Sequence, residues 1–413
     1  MGPRTSPCGA IVVMGMLAGL VAGRFESGIV LEGLDGPATT RTWLGRNLGD
    51  HVERAFMGAS ISFLGDEPLP EEKGRFLVRS DVVLTSDAVA AFADLAGEQD
   101  IAWSMEGRLG NFISDLCFGD EGPWLVYLAP GGAVTPERIA AAVPTGVDPK
   151  ERMLEFPLSE EHHGASVVEL PISDRLVMPT GHWLQLLWAN LLGLGPFLWR
   201  NLMGRNIIEV FARGVWTALK AGSLRPHRIG AQLGRQGKDC RIHPTAVVEG
   251  CWLADNVEIG ANAVVRGSVL GVGTVVEDLA LVEFSVTGQG ARIQRQAMVK
   301  FSLLGPLSAA GGLMQLGVLG RASALKRTGV LMDVSFGQGV QVEANGKRYP
   351  APLNMAGVCL GDGSTVGAGV SVAAGRCVPR GVQIVPSSAN LVTRIPDGLT
   401  GLVAVKDGSL ESL

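Results

Sequence analysis

Five aliphatic residues near the C-terminus, Leu360, Val366, Val372, Val378 and Ile384, stand six apart in the run LGDGSTVGAGVSVAAGRCVPRGVQIV, with small residues between them. Strands alternate with a period of two and helices with one of about 3.6, so neither produces this spacing. A hexapeptide repeat does. Three short strands make one triangular turn of a parallel β-helix, and each leading aliphatic residue points into the prism. The ladder recurs upstream at Ile242, Val248, Leu253, Ile259, Val265, Leu270, Val276 and Val282, in steps of 6, 5, 6, 6, 5, 6 and 6. A step of five is one residue short of a full side, which a corner can absorb. The pattern drifts between Thr287 and Met298, resumes at VKFSLLGPLSA from Val299, and weakens from Gly311 to Met355. There VEANGKRYPAPLN has the composition of a polar loop leaving the prism. The expectation is a β-helix over roughly 240–390 with an irregular middle; a β-sandwich of short strands needs wider spacing between turns.

At 413 residues the chain has room for two or three domains with their own cores. Its 57 glycines suit tight prism corners that require positive φ. The net charge is −5 and no basic cluster is interleaved with aromatics, which argues against nucleic acid. The six cysteines (Cys8, Cys117, Cys240, Cys251, Cys359 and Cys377) form no CxxC pair and no zinc spacing, and are expected as small core residues of a reducing cytoplasm.

Two apolar stretches bear on membranes. MGPRTSPCGAIVVMGMLAGLVAG has the basic start, apolar run and small-residue end of a signal peptide, and also the composition of a buried first strand. The pattern that follows it favours the strand. The second stretch, HWLQLLWANLLGLGPFLW at 182–199, is interrupted by Gln185, Asn190 and Pro196 and makes a poor bilayer span. A pair of amphipathic helices packed between domains is expected, while Trp183, Trp188, Trp199 and Trp216 leave a peripheral membrane contact open.

From residue 8 to about 175, strand-like and helix-like runs alternate. GRNLGDHVERAFMGA has the pattern of a helix, RFLVRSDVVL that of a buried strand, and TSDAVAAFADLAGE that of a helix capped by Thr85 or Ser86. This order predicts an α/β domain with a mainly parallel sheet. Strand carboxyl ends in such sheets face the ligand crevice, and Asp81 sits at one.

An α/β domain, an apolar connecting helix and a hexapeptide β-helix together resemble the sugar-1-phosphate nucleotidyltransferases, a family that includes bifunctional N-acetylglucosamine-1-phosphate uridylyltransferase/acetyltransferases. LQLLWANLLGL is similar to the dLLxANxxLL helix that closes their catalytic domain. The resemblance implies a Rossmann-like, nucleotidyltransferase-like domain at 8–178 and a helical linker at 179–235. A left-handed β-helix at 236–395 and a tail at 396–413 follow.

The family's glycine-rich phosphate loop corresponds to LAGLVAGRF, which keeps Leu17, Gly19, Gly23 and Arg24. Leu20 and Ala22 stand at its two critical glycine positions, where a leucine obstructs a triphosphate. In PATTRTWLGRN, Ala38 replaces the lysine that neutralises phosphate charge and Asn47 replaces a proline. Ser80-Asp81 stands at the family's metal-binding Gly-Asp, which implies Asp81 as a Mg²⁺ ligand and Asp174 of PISDRL as a second. As few as about 34 residues separate Asn47 from Asp81, and no Q-x-x-x-x-G-T-A-like segment is present, so nucleobase recognition is expected to be deleted.

On the prism, acyl transfer from coenzyme A ordinarily uses a histidine base. The histidines are His51, His162, His163, His182, His227 and His243, and none follows His243 of IHPTAVVEG. His162-His163 lacks neighbouring ligands and has the character of an exposed loop. Lys300, Lys326, Glu343, Asn345, Lys347 and Arg348 occupy the middle of the prism instead. VEANGKRYP resembles the family's cNydG-K loop, which implies Glu343, Asn345 and Lys347 near acceptor and cofactor; a solvated loop is the plain alternative.

The resulting expectation is a catalytically degenerate relative that binds a sugar phosphate, a sugar nucleotide or a partner enzyme and forms a homotrimer through its β-helix. The alternatives are an active nucleotidyltransferase with Mg²⁺, an acyltransferase using acetyl-CoA, and a structural scaffold.

Overall fold

The ladder folds as a three-sided parallel β-solenoid in which each coil adds one short strand to each of three sheets. The computed structural model describes residues 20–25, 42–44, 46–59, 61–63, 69–119, 122–157, 167–204, 207–221, 233–335, 339–344 and 346–387, with 389, 392, 395, 403–406 and 409–412 beyond. Face 1 runs from Gly234–Gln236 to Cys377–Val378, face 2 from Arg241–Ile242 to Gln383–Ile384, and face 3 from Val247–Glu249 to Ser371–Val372. They hold eight, eight and seven strands. Ile242 pairs with Ile259, Ile259 with Val276 and Val276 with Ile293, so one coil is 17 residues: two sides of six and one of five.

The five-residue side turns at the corner from face 3 to face 1. Gly250, Gly267, Phe284, Phe301 and Leu316 stack there, all with positive φ. A single left-handed residue turns the chain sharply, but leaves backbone groups that cannot remain unpaired inside. A serine follows the corner in three coils and supplies the bonds. Ser268 Oγ donates to the Arg266 carbonyl at 2.7 Å and accepts the Ser285 N–H at 3.1 Å; Ser285 Oγ in turn accepts the Ser302 N–H at 3.1 Å.

The middle of the solenoid is irregular in coil length, as expected, yet its buried inner positions continue through the stretch where the ladder drifts. Thr287, Ile293, Val299, Leu304, Ala310, Met314, Leu319, Leu325 and Leu331 continue the buried inner column. The aliphatic signal fades for two reasons. Thr287 occupies a core position, where its Oγ1 lies 2.8 Å from that of Thr274 and accepts the Gly271 N–H at 3.0 Å. In addition, Val299 pairs with Met314, so that coil shortens to 15 residues. The next coil lengthens to 41, with Leu319 pairing to Leu360. Its extra chain forms a hairpin, Gln341–Ala344 with Lys347–Pro350. This excursion is not wholly polar: Val342 and Ala344 are buried.

The N-terminal sheet is built from β1 (Leu20–Phe25), β2 (Ser62–Phe63), β3 (Gly74–Arg79), β5 (Ile101–Met105), β6 (Leu125–Leu128) and β7 (Val143–Val147), in the order β2-β1-β3-β6-β5-β7. It is mixed but mainly parallel, as expected: five strands run one way, and β6 alone is reversed, antiparallel to both β3 and β5. The run RFLVRSDVVL also divides at Ser80–Asp81, after which β4 (Val82–Leu84) leaves the sheet to pair antiparallel with β10 (Val177–Pro179). Between these lie the helices α1 (Leu48–Gly58), α2 (Ser86–Ala93), α3 (Gly107–Asp115) and α4 (Pro136–Ala140), and the antiparallel ribbon β8 (Arg152–Pro157) with β9 (Val167–Ile172).

The apolar connector is one helix, α5 (Trp183–Leu202), and not a pair; it runs through Pro196. Its polar interruptions are buried hydrogen-bonders. Gln185 Nε2 donates to the Leu116 carbonyl at 2.9 Å, and Asn190 Oδ1 accepts the Leu44 N–H at 2.8 Å. Trp183 and Trp188 are buried, which removes them from any membrane contact, while Trp199 and Trp216 are exposed. Among the described residues no helix is long and apolar enough to cross a membrane. The outer column of face 1, with Val269, Val286, Leu303, Val318 and Cys359, shares one apolar core with α5. A second, separate core fills the prism, with Leu270, Val282 and Leu304 among its members.

His182 fastens this junction. Its Nδ1 accepts the Leu184 N–H at 3.2 Å at the head of α5, so its Nε2–H faces the Glu343 carbonyl of the hairpin, also at 3.2 Å. Burial pushes the imidazole pKa down to about 4, against the smaller raising effect of the Glu343 carbonyl. Protonating Nδ1 also removes the cap acceptor and sets a cation at the positive end of the helix dipole. An unfolded histidine titrates near 6.5, so between about 4 and 6.5 the unfolded chain binds more protons and stability rises with pH. The His182 contribution is complete above that window and is lost as pH falls through it. The difference in melting temperature between the native protein and His182→Asn, which keeps a capping side chain, is therefore expected to shrink as pH falls from 7.5 towards 4. A difference independent of pH refutes the assignment.

Candidate functional site

Where α1, α2 and α5 converge on the first strands of the solenoid, a cleft of about 270 Å³ opens. α1 contributes His51 and Arg54, three residues apart and hence on one helical face. The start of α2 contributes Thr85 and Ser86, α5 contributes Pro196, Phe197 and Arg200, and Trp252 closes the solenoid side. Phe197 meets Trp252 edge to face at 5.5 Å, and the Arg235 guanidinium covers the indole at 4.4 Å from the ring centre. A second cavity, about 420 Å³ and mostly apolar, lies between α5, the β8–β9 ribbon and the corner residues Phe284 and Phe301. The cleft is the chemically equipped one.

Its charges are unevenly committed. Arg200 pairs with Asp87 and lies 3.5 Å from Asp174, which also receives Arg152 at 3.1 Å. Thr85 caps α2 by accepting the Ala88 N–H at 3.3 Å while its hydroxyl donates to the Asp174 carbonyl at 2.6 Å, which fixes the floor. Arg54 has no hydrogen-bond or ion-pair partner among the described residues. The cleft thus presents an uncommitted guanidinium beside His51 and the amino end of α2, an arrangement suited to a small anion.

Of the residues implied by resemblance, Asp174 alone lines this cleft. Leu17 and Gly19 lie outside the described residues. Gly23 and Arg24 lie within β1, in register with Leu77 and Val78 of β3, so this part of the implied loop is strand. Asp81 is fully buried in the turn after β3. Arg79 occupies both its oxygens, with Nε at 2.6 Å from Oδ1 and Nη2 at 3.1 Å from Oδ2, and Thr180 hydroxyl and N–H both bond its carbonyl. A carboxylate held in this way does not fit Mg²⁺, and Asp174 is already shared between two arginines. Among the described residues no three His, Cys, Asp or Glu side chains group as metal ligands.

Glu343 and Lys347 are exposed on the hairpin, away from the cleft lining, and Asn345 lies outside the described residues, as do His162, His163 and His227. The hairpin acts as a clamp: besides the bond to His182, Tyr349 packs on Phe118 at 5.2 Å. Lys300 is paired with Glu283 at 3.0 Å, and His243 Nδ1 lies 2.9 Å from the Thr245 hydroxyl. The sequence alone assigns neither His51 nor Arg54 to a site. Their only signal was helical spacing within GRNLGDHVERAFMGA, and the cleft they enter forms only when α5 and the solenoid meet.

No family model matches the chain, and no curated protein matches it. Among solved structures, one from Bacillus cereus, provisionally described as an acetyltransferase, is similar over 37% of this chain and 73% of its own at 15% identity and a TM-score of 0.15. A likeness of that size carries no argument about activity, and the solenoid stands on this chain's own strand register.

Removing one partner of a buried ion pair leaves an uncompensated charge and costs about 3–5 kcal/mol, whereas replacing both with apolar groups is far milder. Asp81→Asn is therefore expected to destabilise the protein on that scale in urea unfolding, with Arg79→Met/Asp81→Leu recovering most of the loss. An Asp81→Asn variant that unfolds like the native protein but loses a stabilisation by Mg²⁺ would return Asp81 to the role of ligand.

Proposed function

We propose that this chain is a non-catalytic, nucleotidyltransferase-like solenoid protein that binds a phosphorylated sugar in the cleft and assembles as a trimer through its solenoid. The uncommitted Arg54 guanidinium, aligned with His51 at the mouth of a polar cleft, carries the binding half of this proposal. The LQLLWANLLGL resemblance supplies the sugar-phosphate class, because that helix is α5, which forms one wall. The closure of Asp81 by Arg79 supports the loss of metal-dependent transfer.

Binding is tested by calorimetry with glucose-1-phosphate and N-acetylglucosamine-1-phosphate. A charge-assisted hydrogen bond is worth about 1.5–3 kcal/mol, so Arg54→Gln is expected to weaken binding by roughly 10- to 100-fold. No heat with either sugar phosphate, or equal affinity in the variant, overturns the assignment.

The trimer rests on the outer surfaces of the prism. Face 1 is covered by α5, and face 2 carries ion pairs such as Arg292–Glu277 at 2.9 Å and Arg295–Asp278 at 2.8 Å. Face 3 carries an outward apolar column in register: Val247, Val264, Leu281, Met298, Leu313 and Val330. Beside it runs a ladder of alternating charge, Glu249–Arg266–Glu283–Lys300, with links of 2.9, 3.2 and 3.0 Å. A self-complementary stripe of this kind suits packing against copies of itself. Light scattering at micromolar concentration is expected to give three chain masses, and Leu281→Glu/Leu313→Glu a single one. A native monomer counts decisively against it.

A further inference from the structure

The second cavity, about 420 Å³ between α5, the β8–β9 ribbon and the corner stack, is left unfilled by the side chains around it. Protein interiors hold few voids larger than a water molecule, so an apolar gap of this size calls for an occupant. The ribbon turns one alternating set of side chains into it. Leu154 of β8 stands opposite Leu170 of β9, with Val168 and Ile172 on the same side, while Glu169 reaches Arg108 at 3.1 Å from the other. α5 faces them with Trp188 and Leu191. At Gly195 the helix and the ribbon stand apart: a β-carbon there would meet Ile172 Cδ1 at 3.8 Å and nothing closer.

The rod supplies the third wall. The short-side corner is glycine at Gly250 and Gly267, but Phe284, Phe301 and Leu316 hold the same left-handed backbone in the next three coils, and all three line the cavity. Bulky residues take up that conformation at a cost, and such strain gathers at ligand sites. The Phe284 and Phe301 rings stack at 5.2 Å with their planes 10° apart, which gives a smooth aromatic surface. From Gly267 to Leu316 the wall covers three strand spacings, roughly 14 Å, so the cavity runs along the rod.

We infer that this cavity holds the alkyl chain of one uncharged lipid of the monoacylglycerol class. A dry cavity of about 150 Å³ lined by Leu, Ile and Phe admits benzene, and on that scale this one takes roughly a dozen or more carbons. Charge decides the head group. Among the described lining residues Glu155 is the only ionisable one, and it opposes a carboxylate or a phosphate. The cations of the adjoining column are committed: Arg266 to Glu249 and Glu283 at 2.9 and 3.2 Å, and Lys300 to Glu283 at 3.0 Å. Gln315, whose Nε2 donates to Asp333 at 2.8 Å, gives the lining a neutral polar group instead. Leu154, Phe284 and Leu353 remain 37%, 36% and 38% exposed and mark the side open to solvent, where the head group stays.

The experiment is equilibrium dialysis of the full chain against radiolabelled monolauroylglycerol below its micelle concentration, with laurate as the charged comparator. One lipid per chain is expected, with laurate at least about tenfold weaker. Val168→Trp fills the gap from a strand position that accepts an aromatic residue. It is expected to weaken binding by about 100-fold or more while leaving the circular dichroism unchanged. Leu170→Ser keeps the space but removes apolar contact, and is expected to weaken binding by about tenfold. No uptake of monolauroylglycerol, laurate bound as tightly, or undiminished binding in both variants overturns the inference. So does a fall in solution mass when the lipid is added, which shows a second copy of the chain seated in the cavity.

Discussion

Everything in the C-terminal half follows from strands that hydrogen-bond in parallel to the same side of the next coil. That register forces identical positions into columns, inside and out. The inner columns make the apolar core of the prism, and the outer ones become continuous surfaces: an apolar one beneath α5, a charged one on face 2, and a mixed one on face 3. The corners carry the cost. Phe284 and Phe301 hold positive φ that bulky residues rarely accept, and the two rings stack at 5.2 Å above the serines that satisfy the turn. Large side chains at such positions persist where the surroundings determine them, as repeated register does here.

The N-terminal half depends on this rod for its shape. Its apolar core is completed by a solenoid surface, so α5 serves as both the last helix of the sheet domain and the cover of face 1. The cleft is a by-product of that union, since Trp252 belongs to the rod and Arg54 to the sheet domain. A separately folded N-terminal domain lacks that wall.

How much was legible beforehand follows from the range of each interaction. The six-residue ladder is local, and it announced the solenoid from spacing alone; even its steps of five marked a real short side. The pattern was lost where chemistry changed, as at Thr287, whose hydroxyl is satisfied inside the prism by Gly271 and Thr274, and where coil length changed, as between Val299 and Met314. The helix around Asp87 and its Thr85 cap were also legible, because capping is a short-range signal. The reversal of β6 was not, since direction within a sheet is settled by pairing with β3 and β5 far along the chain. The fate of Asp81 was equally hidden: its partner is only two residues away, yet only the fold shows that both side chains are sealed from water.

The hairpin at Gln341–Pro350 shows how such a rod accommodates change. It enters and leaves within one coil, and Leu319 still pairs with Leu360 as if nothing lay between them. Chain length at that point is thus uncoupled from the architecture above and below, and the prism behaves as a splice-tolerant scaffold. This particular insert is less free than its location. Through His182 and Phe118 it is bound to the sheet domain, so the two are constrained to diverge together while neighbouring coils drift independently.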